Sequence, residues 1–174
     1  MAEGAWAYAP FWCEENVWHL AGDDRLGPGE RAVLVITGAQ DLVACWNQRV
    51  ARPGEPILWD YHVVLLQRSA TWQVWDLDTR LGCPVSAADW LAGTFPFQSH
   101  VPPRFHPRFA WFPAEDWRRR FTSDRSHMRT ASGGWQHPPP LWPSIHAGDL
   151  TLQDALAQAQ EDLSALERRL DMRI

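Results

Sequence analysis

Cys13, His62 and Asp76 occur in that order along the chain. They are the residue types that build a thiol nucleophile, its base and the group that orients the base. His62 lies in the run Trp59-Asp60-Tyr61-His62-Val63, within an apolar, strand-like segment from Ile57 to Leu66. The segment Trp72 to Asp78 reads as its hairpin partner. The polar link Gln67-Arg68-Ser69-Ala70-Thr71 between them has ordinary hairpin length. With the turn centred on Ser69, Leu66 faces Trp72 and, counting back in step, His62 faces Asp76. Directly opposed side chains lie about 5 Å apart at Cβ and point to the same face, so this register predicts a His–Asp contact. The pairing depends on the turn, because a one-residue slip sends the partner to the other face.

The sulfur needs its own setting. A free thiol titrates near pH ~8.5, and the thiolate is the reactive form. Cys13 to Leu20 reads as a helix that Gly22 ends. At its first turn, unpaired N–H groups and the helix dipole favour the anion. A protonated His62 nearby favours it further. Glu14 and Glu15 oppose it if they point at the sulfur, so at least one is expected to point elsewhere.

The residues around these three resemble a known family. Trp59 to Leu66 (WDYHVVLL) is similar to the signature of the protein N-terminal glutamine amidohydrolases, the WDYHV family. Cys13-Glu14-Glu15-Asn16-Val17-Trp18 matches that family's cysteine segment. Ala51-Arg52-Pro53-Gly54 precedes the signature and Asp76-Leu77-Asp78-Thr79 follows it. Ser123-Asp124-Arg125-Ser126-His127-Met128 and the prolines from Pro138 to Pro140 come next in the expected order. These blocks span roughly residues 8 to 145. The resemblance implies that Cys13 is the nucleophile, His62 the base and Asp76 the orienter. It implies a compact α/β (α+β) domain of papain-like or transglutaminase-like type, with the cysteine helix packed on a mainly antiparallel sheet. The chain departs from the pattern after the proline run.

The implied reaction is hydrolysis of the side-chain amide of an N-terminal glutamine, through a thioester and without a cofactor. Such a site must hold a free α-ammonium, and Glu14, Glu15, Asp60 and Asp124 are the candidate carboxylates. Each also has an ordinary structural reading. Asp60 shares a strand face with His62 and can oppose Asp78, and Asp124 can cap a turn or pair with Arg125. His127 is either a supporting group or a surface turn residue. The backbone N–H of Cys13 and one further donor, for which a nearby indole is a candidate, would hold the oxyanion. Two other readings stay open: a different Cys–His–Asp acyl-transfer enzyme (internal protein glutaminase, peptidase or transglutaminase), and a silent module that binds peptide N-termini.

Composition narrows the partners. The 174 residues carry a net charge of −5, and all sixteen basic residues are arginine. No basic stripe suits nucleic acid, and lysine chemistry is excluded. Cys13, Cys45 and Cys83 are too few for a disulfide framework and fit a reducing cytoplasm, with Cys45 and Cys83 read as small hydrophobes. No CxxC pair supports zinc, and His100 and His106 lack partners at ligand spacing, so no metal is expected. Residues 1–12 lack the basic and apolar regions of a leader, and no membrane span is expected.

Elsewhere, Arg31 to Thr37 reads as a strand, Ala87 to Ala92 and Ala114 to Phe121 as short helices, and residues 93–113 and 132–143 as irregular. Residues 1–148 form the expected catalytic domain. Residues 149–174 form one amphipathic helix, with Leu152, Leu156, Ala159, Leu163, Leu166 and Leu170 as its seam and Thr151–Asp154 as a capping box at its start. Packed on the domain, that helix leaves a monomer whose partners are peptide or protein substrates; the alternative reading of its seam is a small dimer contact.

Overall fold

The computed structural model describes residues 5–171. At its centre is a strand that the sequence marks clearly, β1 (Glu30–Gly38), whose residues from Ala32 onward are all buried. The run ERAVLVITG is apolar without alternation because helices cover both faces of the sheet. Val33 and Val35 pack in one hydrophobic cluster, and Ala32, Leu34 and Ile36 pack in another. The chain reverses after Gly38 into β2 (Val43–Cys45), which pairs with β3 (Ile57–Trp59). A Cβ on Gly38 would lie 1.6 Å from the Leu42 carbonyl oxygen, so only glycine fits this turn.

The apolar segment around His62 is not one strand. It divides at Asp60 and Tyr61 into β3 and β4 (His62–Arg68). β4 lies between β1 and β5 (Trp72–Trp75), antiparallel to both. The hairpin register differs from the expected one by two residues: Arg68 pairs with Trp72, Leu66 with Val74 and Leu65 with Trp75. A two-residue shift keeps every side chain on its face. Continued in step, this register would set Asp78 opposite His62, but the ladder ends at Trp75. The chain then turns, and Asp76 reaches His62 from that turn.

β6 (Val85–Ser86) and β7 (Pro107–Pro113) complete a five-stranded sheet in the order β6-β5-β4-β1-β7. β7 corrects the expectation that residues 93–113 are irregular. Its prolines stand at its two ends and the strand lies at the sheet's edge, where a missing N–H is tolerated. Helix α1 (Cys13–Ala21) shares a cluster with α3 (Ala114–Arg120) and with α4 (Leu152–Ala157), through Val17, Leu20, Trp117, Leu152 and Ala155. Trp90 and Leu91 of α2 (Ala87–Thr94) and Leu166 of α5 (Leu163–Arg169) pack in the cluster on the opposite face. A short parallel pair, β8 (Phe121–Thr122) with β9 (Leu150–Thr151), ties the start of the tail to the end of α3.

The tail corrects a second expectation. It is two short helices rather than one, and its residues 172–174 lie outside the described ones, as do residues 1–4 of the N-terminal segment. The capping box forms as read, with the Thr151 hydroxyl accepting from the Asp154 N–H. The break follows from the sheet edge. Glu161 leaves the helical path and pairs antiparallel with Phe109, donating to its carbonyl at 3.1 Å and accepting from its N–H at 2.8 Å. Asp162 then caps α5 by accepting from the Ala165 N–H. Covering a free strand edge satisfies backbone groups that a continuous helix would leave open.

Candidate active site

Cys13 is the first residue of α1, which packs against β4. The residue before it, Trp12, has no side-chain bond to the helix start. Asn16 fixes the approach: its amide donates to the Ala9 carbonyl and its oxygen accepts from the Ala9 N–H. Between them Phe11 adopts φ +69°, a conformation that bulky residues rarely take. Its ring stacks on His137, with centroids 3.6 Å apart.

His62 and Asp76 meet as a buried pair, His62 Nε2 lying 2.9 Å from Asp76 Oδ1. Asp76 is fully enclosed and held from every side. Oδ1 also accepts from the Asp78 N–H, and Oδ2 accepts from Trp90 Nε1–H at 3.0 Å and Gln48 Nε2–H at 3.2 Å. Burial alone would raise its pKa, but His62 and these donors hold the carboxyl below its usual value. Burial likewise opposes the charged form of His62, and the carboxylates of Asp76, Asp78 and Glu14 overcome it, raising the pKa. The His62 ring lies parallel to the Trp59 indole at 6.0 Å.

The sulfur does not sit in the anion-favouring setting expected of it. Burial, then the Glu14 carboxylate, then Asp78 push the Cys13 thiol well above its ordinary range, and the Val63 N–H opposes them only in part. Glu14 Oε2 is 3.7 Å from the sulfur.

Cys13 and His62 line one cavity of about 100 Å³ with Phe11, Trp59, Asp60, Tyr61, Asp78 and Met128. A second cavity of about 410 Å³ also opens on Asp60 and Tyr61, and continues to Asp41, His127 and the start of α4. Of the four carboxylates singled out in the sequence, Asp60 faces both cavities. It is exposed, and its Oδ1 accepts from the Tyr61 N–H rather than facing Asp78 across a strand. Glu14 lies fully buried behind Tyr61, accepting from the tyrosine hydroxyl at 3.0 Å. Glu15 points away from the sulfur. Its oxygens accept from Arg125 Nε–H and Nη2–H at 2.8 and 2.7 Å and from the Trp142 indole at 2.8 Å. Asp124 lies on the surface and closes its own turn by accepting from the Ser126 N–H.

Two residues of the site, Tyr61 and Asp78, went unassigned in the sequence, and a third, His127, was left between a supporting group and a surface turn residue. Tyr61 links Glu14 to His127, whose Nε2 lies 3.0 Å from the tyrosine oxygen. His127 is half-buried here rather than a surface turn residue, and its Nε2 is 3.3 Å from Glu14 Oε1, an ion-pair distance. Burial works against its charged form, and Glu14 with Asp60 and Asp124 raises its pKa in balance. Asp78 lines the cavity that Cys13 and His62 share, and its Oδ1 accepts from the Tyr8 hydroxyl at 2.6 Å. For Tyr61 and Asp78 the sequence signal was adjacency: Tyr61 precedes His62, and Asp78 follows Asp76 by two.

His62, Asp76 and Asp78 also form the one cluster among the described residues whose ligand atoms, within 4.8 Å of one another, suit a shared metal ion. An ion there would displace donors already bound to Asp76. Cys45 is buried in the core, and His106 is 2.8 Å from the Val101 carbonyl.

The model of the N-terminal glutamine amidase family matches residues 8–168. The chain belongs to that family. It is 37% identical over 152 residues to the protein N-terminal glutamine amidohydrolase of Homo sapiens, an alignment covering 83% of this chain and 74% of the relative. The Bos taurus protein of the same name is 36% identical over 166 residues, 90% of this chain and 80% of the relative. The Danio rerio protein of that name is 35% identical over 144 residues, 79% and 71% respectively. The family match runs through α4 and nearly all of α5. It therefore corrects the reading that the chain departs from the family after the prolines.

Proposed function

We propose that this chain hydrolyses the side-chain amide of an N-terminal glutamine in peptides or proteins, with Cys13 as nucleophile, His62 as base and acid, and Asp76 as the group that orients His62. The observation that carries this reading is that the sulfur and an imidazole held by a four-donor carboxylate line one cavity. With Nε2 given to Asp76, Nδ1 takes the thiol proton. The thiolate forms a C–S bond to the carboxamide carbon, the oxyanion rests on backbone N–H groups near Cys13, and the C–N bond breaks as His62 returns the proton. Ammonia leaves. Water, deprotonated by the same imidazole, then splits the thioester to glutamate and free thiol. Burial and the Glu14 carboxylate oppose charge on the sulfur, and charge separation is favoured once substrate has displaced water from the cavity, where fixed dipoles act strongly.

Asp60 suits the α-ammonium best among the four carboxylates, being exposed at the junction of the two cavities. The larger cavity then takes the residues that follow the glutamine. We read the architecture as the papain-like or transglutaminase-like plan, with the tail packed on residues 1–148 as one monomeric, cytoplasmic domain that binds neither nucleic acid nor membrane. No described helix is long and apolar enough to cross a membrane.

The test is ammonia release from a glutamine-initiated peptide, its N-acetylated twin and the Cys13→Ala protein. Release from the free-amine peptide alone, abolished in the variant, is expected. Equal release from both peptides would instead indicate a general glutaminase. A folded protein that releases none from either peptide would indicate a binding module.

A further inference from the structure

We propose that Asp78 reads the reacting carboxamide itself, accepting one of its N–H groups and disfavouring the glutamate product, and so sets the choice of glutamine over glutamate. This rests on the deamidation reading above. Two carboxylates face the catalytic cavity, and they differ in depth. Asp60 is exposed where the cavity meets its larger neighbour, whereas Asp78 is only 6% exposed and lines the wall with Cys13 and His62. Ligand atoms of Asp78, Asp76 and His62 all lie within 4.8 Å of one another, so Asp78 flanks the imidazole that must meet the leaving nitrogen.

The two aspartates of the Asp76-Leu77-Asp78 run are also used differently. Asp76 receives four hydrogen bonds from the protein. The side chain of Asp78 receives one among the described residues, from Tyr8. A carboxylate accepts at about four sites, so Asp78 keeps capacity for a donor in the cavity. The carboxamide brings two N–H donors, and with its oxygen directed to backbone N–H groups, its nitrogen needs an acceptor. Glutamate offers no N–H and places a second negative charge against Asp78 in a water-poor site. Sites built to hydrogen-bond a group reject analogues that lack it far more strongly than apolar pockets do.

Calorimetry on the Cys13→Ala protein tests this without turnover. Peptides identical except for an initial glutamine or glutamate are expected to differ in Kd by about thirtyfold or more, glutamine binding tighter. Asp78→Asn on the same background should reduce that ratio to about threefold or less, chiefly by tightening the glutamate peptide. A residue that merely supported the fold would weaken both peptides together. Tyr8→Phe, which removes one hydroxyl from a part-exposed side chain, should lower the ratio severalfold and guards against an Asp78→Asn protein that fails to fold. Near-equal affinities in the parent, or a ratio unmoved by the variants, would overturn the inference. Ammonia release by the wild-type protein is scored separately: its absence with the affinity ratio intact would sink the deamidation reading and leave carboxamide recognition standing.

Discussion

Two histidine–carboxylate couples flank the cavity, and they are built to opposite standards. His62 and Asp76 are both almost wholly buried, meet at 2.9 Å, and the carboxylate has three further donors. His127 and Glu14 meet at 3.3 Å, share a tyrosine hydroxyl, and leave the histidine side chain 18% exposed. The first couple has one tautomer and one orientation available to it. The second is held by a single tyrosine hydroxyl and stays partly open to solvent. In the proposed reaction the group that transfers protons needs fixed geometry, and the two couples differ in how many of their hydrogen bonds fix it.

The most severe way to break the contrast is Asp76→Asn, which leaves shape intact but lets His62 adopt the wrong tautomer. By analogy with triads generally, kcat should fall on the order of 10⁴-fold. A loss below tenfold would show that the couple does not govern turnover. Glu15 makes the neighbouring comparison. It lies next to Glu14 on α1, but its buried pair with Arg125 is structural, so Arg125→Ala should cost about 3–5 kcal/mol of stability by chemical denaturation. Loss of activity in that variant without loss of stability would refute the assignment.

Glu14→Gln should act on the sulfur rather than on the fold. Burial contributes most to the raised thiol pKa and Glu14 comes next, so removing that charge should move the pH dependence of Cys13 alkylation to lower pH, with about tenfold faster labelling at neutral pH. Unchanged labelling would mean that burial alone sets the thiol. Last and smallest is a pH effect on Tm. Both histidines have folded pKa values above their unfolded value of about 6.5. Their contribution is fully present below that pH and is lost as pH rises through the folded values. Asp76 is depressed, so its contribution is present above about pH 4 and is lost on acidification. Tm should decline above about pH 6.5, and both His62→Gln and His127→Gln should flatten that decline. A variant curve parallel to wild type on the alkaline side would contradict a raised folded pKa for the histidine replaced.

What could be read from residues alone follows from distance along the chain. α1, β1, α2 and α3 carry local signals, such as the apolar run of β1 and the glycine that ends α1. The His62–Asp76 contact was found with the wrong register, because a two-residue error in a strand preserves the face and the turn after Trp75 supplied the remainder. β7 was hidden by its prolines, which mark loops unless the strand is known to lie at an edge. The break in the tail was invisible for a related reason. Its leucine seam is helical throughout, and only Phe109, far earlier in the chain, explains why Glu161 leaves the helix. Arg125 with Glu15 and His127 with Tyr61 join residues whose separation no periodicity records.

That Glu161–Phe109 pairing also sets a timetable for biosynthesis. β7 emerges from the ribosome with its outer edge bare, and Glu161, which pairs with it, follows Pro113 by 48 residues. At roughly 5–20 residues per second the nascent sheet remains open for several seconds. Premature termination before residue 161 would leave it permanently able to recruit a stranger's strand.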